Sequence, residues 1–189
     1  MPKIAVGNAI FMLKIAVGNA FFISLDVDFH YFCKINCILM DKKETYQLLL
    51  AQVKAMVKDE NDPVANMANV AALIHETFHF WWTGFYRVIG NQLVLGPFQG
   101  PVACTRIGFG KGVCGSAWKE RRTLVVEDVE QFPGHIACSS ESRSEIVVPL
   151  FKQGEVVGVL DIDSEHLATF DETDKEWLEQ IAEVVAPRI

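Results

Sequence analysis

The chain has 189 residues, of which 50% are hydrophobic and 22% are charged. This length and composition supply enough apolar material for one globular core, so we expect a single functional domain. The net charge of −7 argues against nucleic-acid binding, because the basic residues form no patch beyond short pairs such as Arg121-Arg122. Five cysteines without a clean secretory signal indicate a reducing compartment, and we expect a cytoplasmic protein.

The first part of the chain differs in character from the rest. The heptapeptide KIAVGNA occurs twice within it, and an apolar, aromatic stretch follows. Charged residues such as Asp26 interrupt that stretch, so we expect neither a membrane span nor stable membrane association. We interpret residues 1–39 as an N-terminal extension outside the functional domain, which occupies residues 40–189.

From residue 40 onward the sequence alternates between helical patterns and pairs of strands. The predicted helices cover residues 41–58, 64–78, 116–120 and 171–185, and the predicted strands cover residues 80–88, 92–95, 123–126, 144–151 and 156–163. Asp41 and Glu44 have the spacing of a capping box at the start of the first helix. Turns at Gly90-Asn91 and at residues 152–155 join strands into hairpins. Hairpins flanked by helices predict an α+β domain with an antiparallel sheet.

Three cysteines, Cys104, Cys114 and Cys138, lie close together in the middle of this region. Their spacing is too wide for a CxxC redox motif and does not match the paired ligands of a zinc site. Each lies among Gly, Pro, Ser and Thr residues, so we expect all three thiols in loops near the surface. This pattern indicates thiol redox chemistry on a small molecule, provided that folding brings the thiols together.

Carboxyl groups occur on the two strands that follow the cysteines. Asp161 and Asp163 are two residues apart on a predicted strand, so their side chains lie on one face, and Glu145 lies on the preceding strand. Two interpretations stay open from the residues alone. In the first, the carboxyl groups face a pocket together. In the second, Asp163 and Glu165 begin a solvated turn and Glu145 caps a strand.

Aromatic residues crowd the first predicted strand. Trp82 and Tyr86 are four residues apart and therefore lie on one face, where they can wall a pocket. Trp81 and Phe85 fall on the opposite face, and we expect both to pack in the core.

Six segments taken together resemble the GAF-domain family of free methionine-R-sulfoxide reductases. The segments are WWTGFYRV, GPFQGPVACTRI, GKGVCGSAW, EDVEQFPGHIAC, SEIVVPL and GVLDIDSE, and the resemblance covers residues 40–189. It implies a GAF-like fold with a central antiparallel sheet of six strands flanked by helices. It also implies a small pocket and reduction of free L-methionine-R-sulfoxide to methionine.

The resemblance also implies roles for the cysteines. Reduction of a sulfoxide needs a nucleophile for sulfur and a proton for oxygen, and the family match assigns the attack to Cys138. His135, three residues earlier, can stabilise a thiolate when it is protonated. The resulting sulfenic acid condenses with Cys104 to a disulfide, with Cys114 as a competing or auxiliary partner. A thioredoxin-like protein is then the expected reductant.

The family match assigns Glu145, Asp161 and Asp163 to substrate binding and catalysis, and it places Trp82 and Tyr86 in the wall of the pocket. The division of roles among the three carboxyl groups stays open. No cofactor and no metal are expected, and homodimer formation is left open.

Two other functions are compatible with these residues. A GAF-like domain can sense a small molecule or a redox state without turnover, although sensor domains are generally attached to an output domain. Alternatively, His135, Cys138, Cys104 and Cys114 form a zinc site, which their irregular spacing makes the weaker hypothesis.

Overall fold

The computed structural model describes residues 41–134 and 141–189. The chain divides into two units, Met1–Met40 and Asp41–Ile189, and the described residues all belong to the second. Its helices are α1 (Lys42–Val57), α2 (Pro63–Phe78), α3 (Gly112–Glu120) and α4 (Glu172–Val185). Its strands are β1 (Trp82–Ile89), β2 (Gln92–Gln99), β3 (Arg106–Gly108), β4 (Leu124–Val126), β5 (Ser144–Lys152) and β6 (Glu155–Ser164). Short 3₁₀ turns cover Val129–Gln131 and Ala186–Arg188.

Helices α1, α2 and α4 begin where short polar side chains satisfy the first backbone N–H groups. The Asp41 carboxylate accepts a hydrogen bond from the Glu44 backbone at 2.8 Å, and the Glu44 side chain accepts one from the Asp41 backbone at 3.2 Å. This is the capping box that the sequence predicts. Asp171 caps α4 in the same way, and Asp62 caps α2 ahead of Pro63, a residue that suits the first helical turn.

The six strands form one sheet in the order β3-β2-β1-β6-β5-β4, and every neighbouring pair is antiparallel. The predictions of an α+β fold and a six-stranded antiparallel sheet are therefore confirmed. Both predicted hairpins are present, as β1-β2 and β5-β6. The sequence placed no strand at Arg106–Gly108, which is only three residues long.

Alternation along the strands gives the sheet two different faces. On one face, α1, α2 and α4 contribute to the larger hydrophobic core with strand residues such as Phe85, Ile146 and Leu160, all fully buried. On the other face, α3 contributes to a smaller core with residues such as Tyr86, Val147 and Val159. The larger core stabilises the fold, and the smaller one surrounds the polar groups described below.

The helices of residues 41–134 and 141–189 are all too short or too polar to cross a membrane.

Candidate active site

A small cavity opens on the face of the sheet that carries α3. Carboxyl groups from β5 and β6 lie on one side of it, and aromatic residues around the start of β1 lie on another. The loop after β2 and the first turn of α3 complete the wall. The aromatic, thiol, hydroxyl and carboxyl side chains that line the cavity are those of Trp81, Trp82, Tyr86, Cys114, Ser142, Glu145, Asp161 and Asp163.

Strand pairing brings the three carboxyl groups together. Glu145 on β5 lies opposite Asp163 on β6, and Val147 lies opposite Asp161. Glu145 and Val147 are two positions apart on β5, and Asp161 and Asp163 are two positions apart on β6, so each pair shares one face of the sheet. This is the face that carries α3. Glu145 and Asp161 are each only 6% exposed. The prediction that Asp161 and Asp163 share a face is confirmed, since both line the cavity. An exposed turn begins at Glu165, but Asp163 lies within β6 and is not part of that turn.

Burial perturbs the ionisation of all three groups. The pKa of Glu145 is raised well above its usual value, first by burial and then by the charges of Asp161 and Asp163. The pKa of Asp161 is also raised, by burial and by the charge of Asp163. Burial raises the pKa of Asp163 to about 6, although a hydrogen bond donated by Ser142 acts in the opposite direction. The cluster can therefore retain protons near neutral pH.

The aromatic wall is built by ring contacts and by two hydrogen bonds to the neighbouring loop. Trp82 stacks on Phe98 at 5.4 Å and on Tyr86 at 6.0 Å between ring centroids. The Trp82 indole donates a hydrogen bond to the Pro101 carbonyl at 3.0 Å. The Tyr86 hydroxyl donates one to the Cys104 carbonyl at 2.9 Å. Trp82 and Tyr86 thus hold the loop that carries Cys104 against the sheet.

Glycine at position 84 allows the Trp82 ring to lie where it does. A Cβ atom at Gly84 would approach the Trp82 ring to 2.4 Å and the Phe98 Cβ to 2.5 Å. These distances are too short for non-bonded atoms, so any larger residue would displace the aromatic wall.

The prediction that Trp81 packs in the core on the opposite face is wrong. Trp81 lines the cavity, together with Trp82. The alternation rule fails here because β1 begins at Trp82, so Trp81 lies before the strand and does not follow its pleat. The same prediction is right for Phe85, which is fully buried in the larger core.

The cysteines differ in their surroundings. Cys104 lies in the loop between β2 and β3, as predicted, and it is disulfide-bonded. Cys114 has a free thiol, so the two are not joined to each other. The prediction of a surface loop is wrong for Cys114, which lies in the first turn of α3 and is 3% exposed. Cys138 and His135 lie outside the described residues.

The Cys114 thiol faces the carboxyl cluster. Its sulfur lies 3.9 Å from Glu145 Oε1, within the range of a hydrogen bond from a thiol. Burial, followed by the charges of Asp161 and Glu145, raises the pKa of this thiol well above its usual value. The raised pKa favours the protonated form of Cys114, which is a poor nucleophile.

Sequence reasoning did not identify Ser142 as part of this site. Its hydroxyl donates a hydrogen bond to Asp163, and the residue is buried just ahead of β5. No local pattern marks it, because its partner is 21 residues away along the chain.

The sequence pattern of the family described as GAF domain matches residues 64–189. The chain belongs to the GAF-domain family. Within the family it is 57% identical over 145 residues to GAF domain-containing protein A of Dictyostelium discoideum, a match that covers 76% of this chain and 92% of that protein. It is 43% identical over 143 residues to the free methionine-R-sulfoxide reductase of Escherichia coli, covering 75% and 87% of the two chains.

A solved structure agrees with this relationship. The free methionine-R-sulfoxide reductase of Neisseria meningitidis, in complex with its substrate, is 56% identical with a TM-score of 0.77. The match covers 79% of this chain and 90% of that one. The resemblance to the free methionine-R-sulfoxide reductases of the GAF-domain family is therefore confirmed.

Proposed function

We propose that this protein reduces free L-methionine-R-sulfoxide to methionine, using cysteine thiols as the source of electrons. The observation that carries the proposal is the buried carboxyl cluster facing Trp82 and Tyr86 across one cavity. This site belongs to a chain that is 41% and 43% identical to two proteins named for that activity.

The cavity suits the two ends of the substrate. Ionised carboxyl groups attract the substrate ammonium, and the Trp82 ring offers an apolar surface to the methyl and thioether groups. A protonated carboxyl group can supply the proton that the sulfoxide oxygen needs. Glu145 is our candidate for this acid, because it is buried and both neighbouring aspartates raise its pKa. Asp161 and Asp163 are then the candidates for binding the ammonium.

The proposed reaction consumes two thiols for each sulfoxide. The Cys138 thiolate attacks the sulfoxide sulfur, the oxygen is protonated, and oxygen transfer leaves methionine and a Cys138 sulfenic acid. The Cys104 thiol then attacks the sulfenic sulfur, releasing water and forming a disulfide. A thioredoxin-like dithiol reduces that disulfide and becomes oxidised itself. The cycle needs no cofactor beyond these thiols and the external dithiol.

Two observations support Cys104 over Cys114 as the resolving cysteine. Cys104 is disulfide-bonded, so its sulfur is placed in this fold where it can form a disulfide. Cys114 is 3% exposed, and its raised pKa keeps the thiolate scarce. We assign Cys114 a place in the cavity wall.

We further propose that residues 40–189 are the functional domain and that the protein works in the cytoplasm, where thioredoxin keeps such cysteines reduced.

The test is turnover of free L-methionine-R-sulfoxide by the full chain with thioredoxin, thioredoxin reductase and NADPH. We expect NADPH oxidation by the wild type, its loss in Cys138→Ser, and full activity in the matched control Cys37→Ser. We also expect loss of steady-state turnover in Cys104→Ser, with one methionine released per chain in a single turnover.

The S epimer and a peptide-bound sulfoxide serve as substrate controls, and we expect neither to be turned over. Turnover with dithiothreitol but none with thioredoxin would refute only the role of thioredoxin. Lack of turnover with both reductants, in folded and reduced protein, would refute the enzymatic function and favour the sensor.

A further inference from the structure

The cavity wall brings together three side chains with metal-binding atoms. The Cys114 sulfur and one carboxylate oxygen each of Glu145 and Asp161 all lie within 4.8 Å of one another. All three residues are buried. They come from α3, β5 and β6, so three separate elements of the fold hold the group in place.

A second observation indicates that this group can accept a cation. The Oδ1 atom of Asp161 is fully buried and has no hydrogen-bond partner within residues 41–134 and 141–189. Asp161 is 6% exposed and faces the cavity. A buried carboxylate oxygen without a partner is unfavourable, and a bound cation would satisfy it. Within the same described residues, no Lys or Arg forms an ion pair with Glu145, Asp161 or Asp163.

The geometry is close to that of a tetrahedral zinc site. Zinc binds thiolate sulfur at roughly 2.3 Å and carboxylate oxygen at roughly 2.0 Å, which places ligand atoms roughly 3.3–3.5 Å apart. The distance from Cys114 Sγ to Glu145 Oε1 is 3.9 Å, and no two ligand atoms of the group are more than 4.8 Å apart. Side-chain movements of up to roughly 1.5 Å therefore bring the three atoms to the spacing of zinc ligands. Mixed sulfur and oxygen ligands suit this borderline-soft ion better than Mg²⁺ or Ca²⁺, which prefer oxygen alone.

We propose that the reduced protein binds one Zn²⁺ ion through Cys114, Glu145 and Asp161, with a fourth position open to the cavity. Binding releases to solvent the thiol proton and any proton that the Glu145 and Asp161 carboxyl groups hold. The ion occupies the same carboxyl groups that the proposed function assigns to the substrate. Zn²⁺ therefore acts as an inhibitor that competes with methionine sulfoxide, and this consequence alone rests on the proposed function.

Direct binding tests the site without any enzymatic assay. Full-length protein is reduced with a phosphine, freed of the phosphine by gel filtration, and titrated with Zn²⁺ against a chromophoric chelator. We expect one ion per chain. We also expect Co²⁺ to give a thiolate-to-metal charge-transfer band in the wild type that is absent in Cys114→Ala.

Ligand variants then define the site. We expect each of Glu145→Gln, Asp161→Asn and Cys114→Ala to weaken Zn²⁺ binding by at least ~10-fold. Loss of a residue that only supports a metal ligand already lowers metal affinity by about this factor, so loss of a ligand itself should cost no less. The matched control is Glu165→Gln, at an exposed position directly after β6, and it is expected to retain wild-type affinity. Circular dichroism confirms that each variant is folded.

The double variant Cys104→Ser/Cys138→Ser separates this site from the thiol and imidazole site considered above. We expect it to bind Zn²⁺ with unchanged affinity. Loss of binding in the double variant, retention in Cys114→Ala, or absence of binding to the wild type would each overturn the proposal.

In the coupled assay, Zn²⁺ should raise the KM for the sulfoxide and leave kcat unchanged. A fall in kcat alone would overturn the competitive effect.

Discussion

Replacement of Asp163 by Asn removes a half-buried charge from the carboxyl cluster. Burial raises the pKa of this group to about 6, from a usual value of 3.8. The folded protein therefore holds the proton more tightly than the unfolded chain does. Ionisation of Asp163 destabilises the folded state as the pH rises through this interval, and the penalty is complete above pH 6.

The size of the effect follows from the shift. At about 1.4 kcal/mol per pKa unit, the shift corresponds to roughly 3 kcal/mol of lost stability at neutral pH. The Asn side chain keeps an oxygen that accepts the hydrogen bond from Ser142, so little packing is lost. Because burial of the new amide has its own cost, we expect Asp163→Asn to be more stable than the wild type by about 1–3 kcal/mol at pH 7.5. Below pH 4 this gain in stability should disappear, because Asp163 is then protonated in both the folded and the unfolded state.

Urea denaturation of the reduced proteins from pH 3.5 to 8 measures this difference. Asp171→Asn is the matched control, since Asp171 is exposed, pairs with Lys42 at 2.9 Å, and has a lowered pKa. It should show no gain at neutral pH. The reasoning is refuted if Asp163→Asn is less stable than the wild type at pH 7.5, or if its gain is equally large at pH 4.

Two further substitutions test the wall of the cavity and the core. Gly84→Ala places a methyl group where the Trp82 ring lies, so the KM for the sulfoxide should rise severalfold while the far-ultraviolet circular dichroism stays native. An unchanged KM would contradict the role of Trp82 in the cavity wall. Tyr46→Phe removes a buried hydrogen bond of 2.8 Å to Asp174, so urea denaturation should show a loss of about 1–3 kcal/mol with unchanged turnover. Reduced turnover in Tyr46→Phe would mean that the two faces of the sheet are coupled.

Local patterns predicted the parts of the site that depend on neighbouring residues along the chain. The two-residue period placed Asp161 and Asp163 on one face, and the β5-β6 hairpin brought Glu145 beside them. Residues far apart in sequence were not predicted in the same way. The approach of α3 and of the loop at residues 100–105 depends on tertiary packing, and no spacing rule describes it.

The surface loop predicted for Cys114 is wrong because of the glycines around it. Glycine is typical of loops, yet α3 begins at Gly112 and includes Gly115. A Cβ atom at Gly115 would lie 2.3 Å from the Gly108 carbonyl oxygen. Glycine is present here because the helix packs directly against the backbone of β3, and that packing brings Cys114 to the carboxyl cluster.

The unlike faces of the sheet have a consequence for how this fold can change over evolution. The helices on one face bury the larger core without contributing to the wall of the cavity. Substitutions on the opposite face can therefore alter the ligand while the larger core keeps its packing. The unfavourable carboxyl cluster is tolerable only because the larger core offsets its cost. A lineage that lost the chemistry would gain stability by replacing the acids, and would keep the same scaffold for a new ligand.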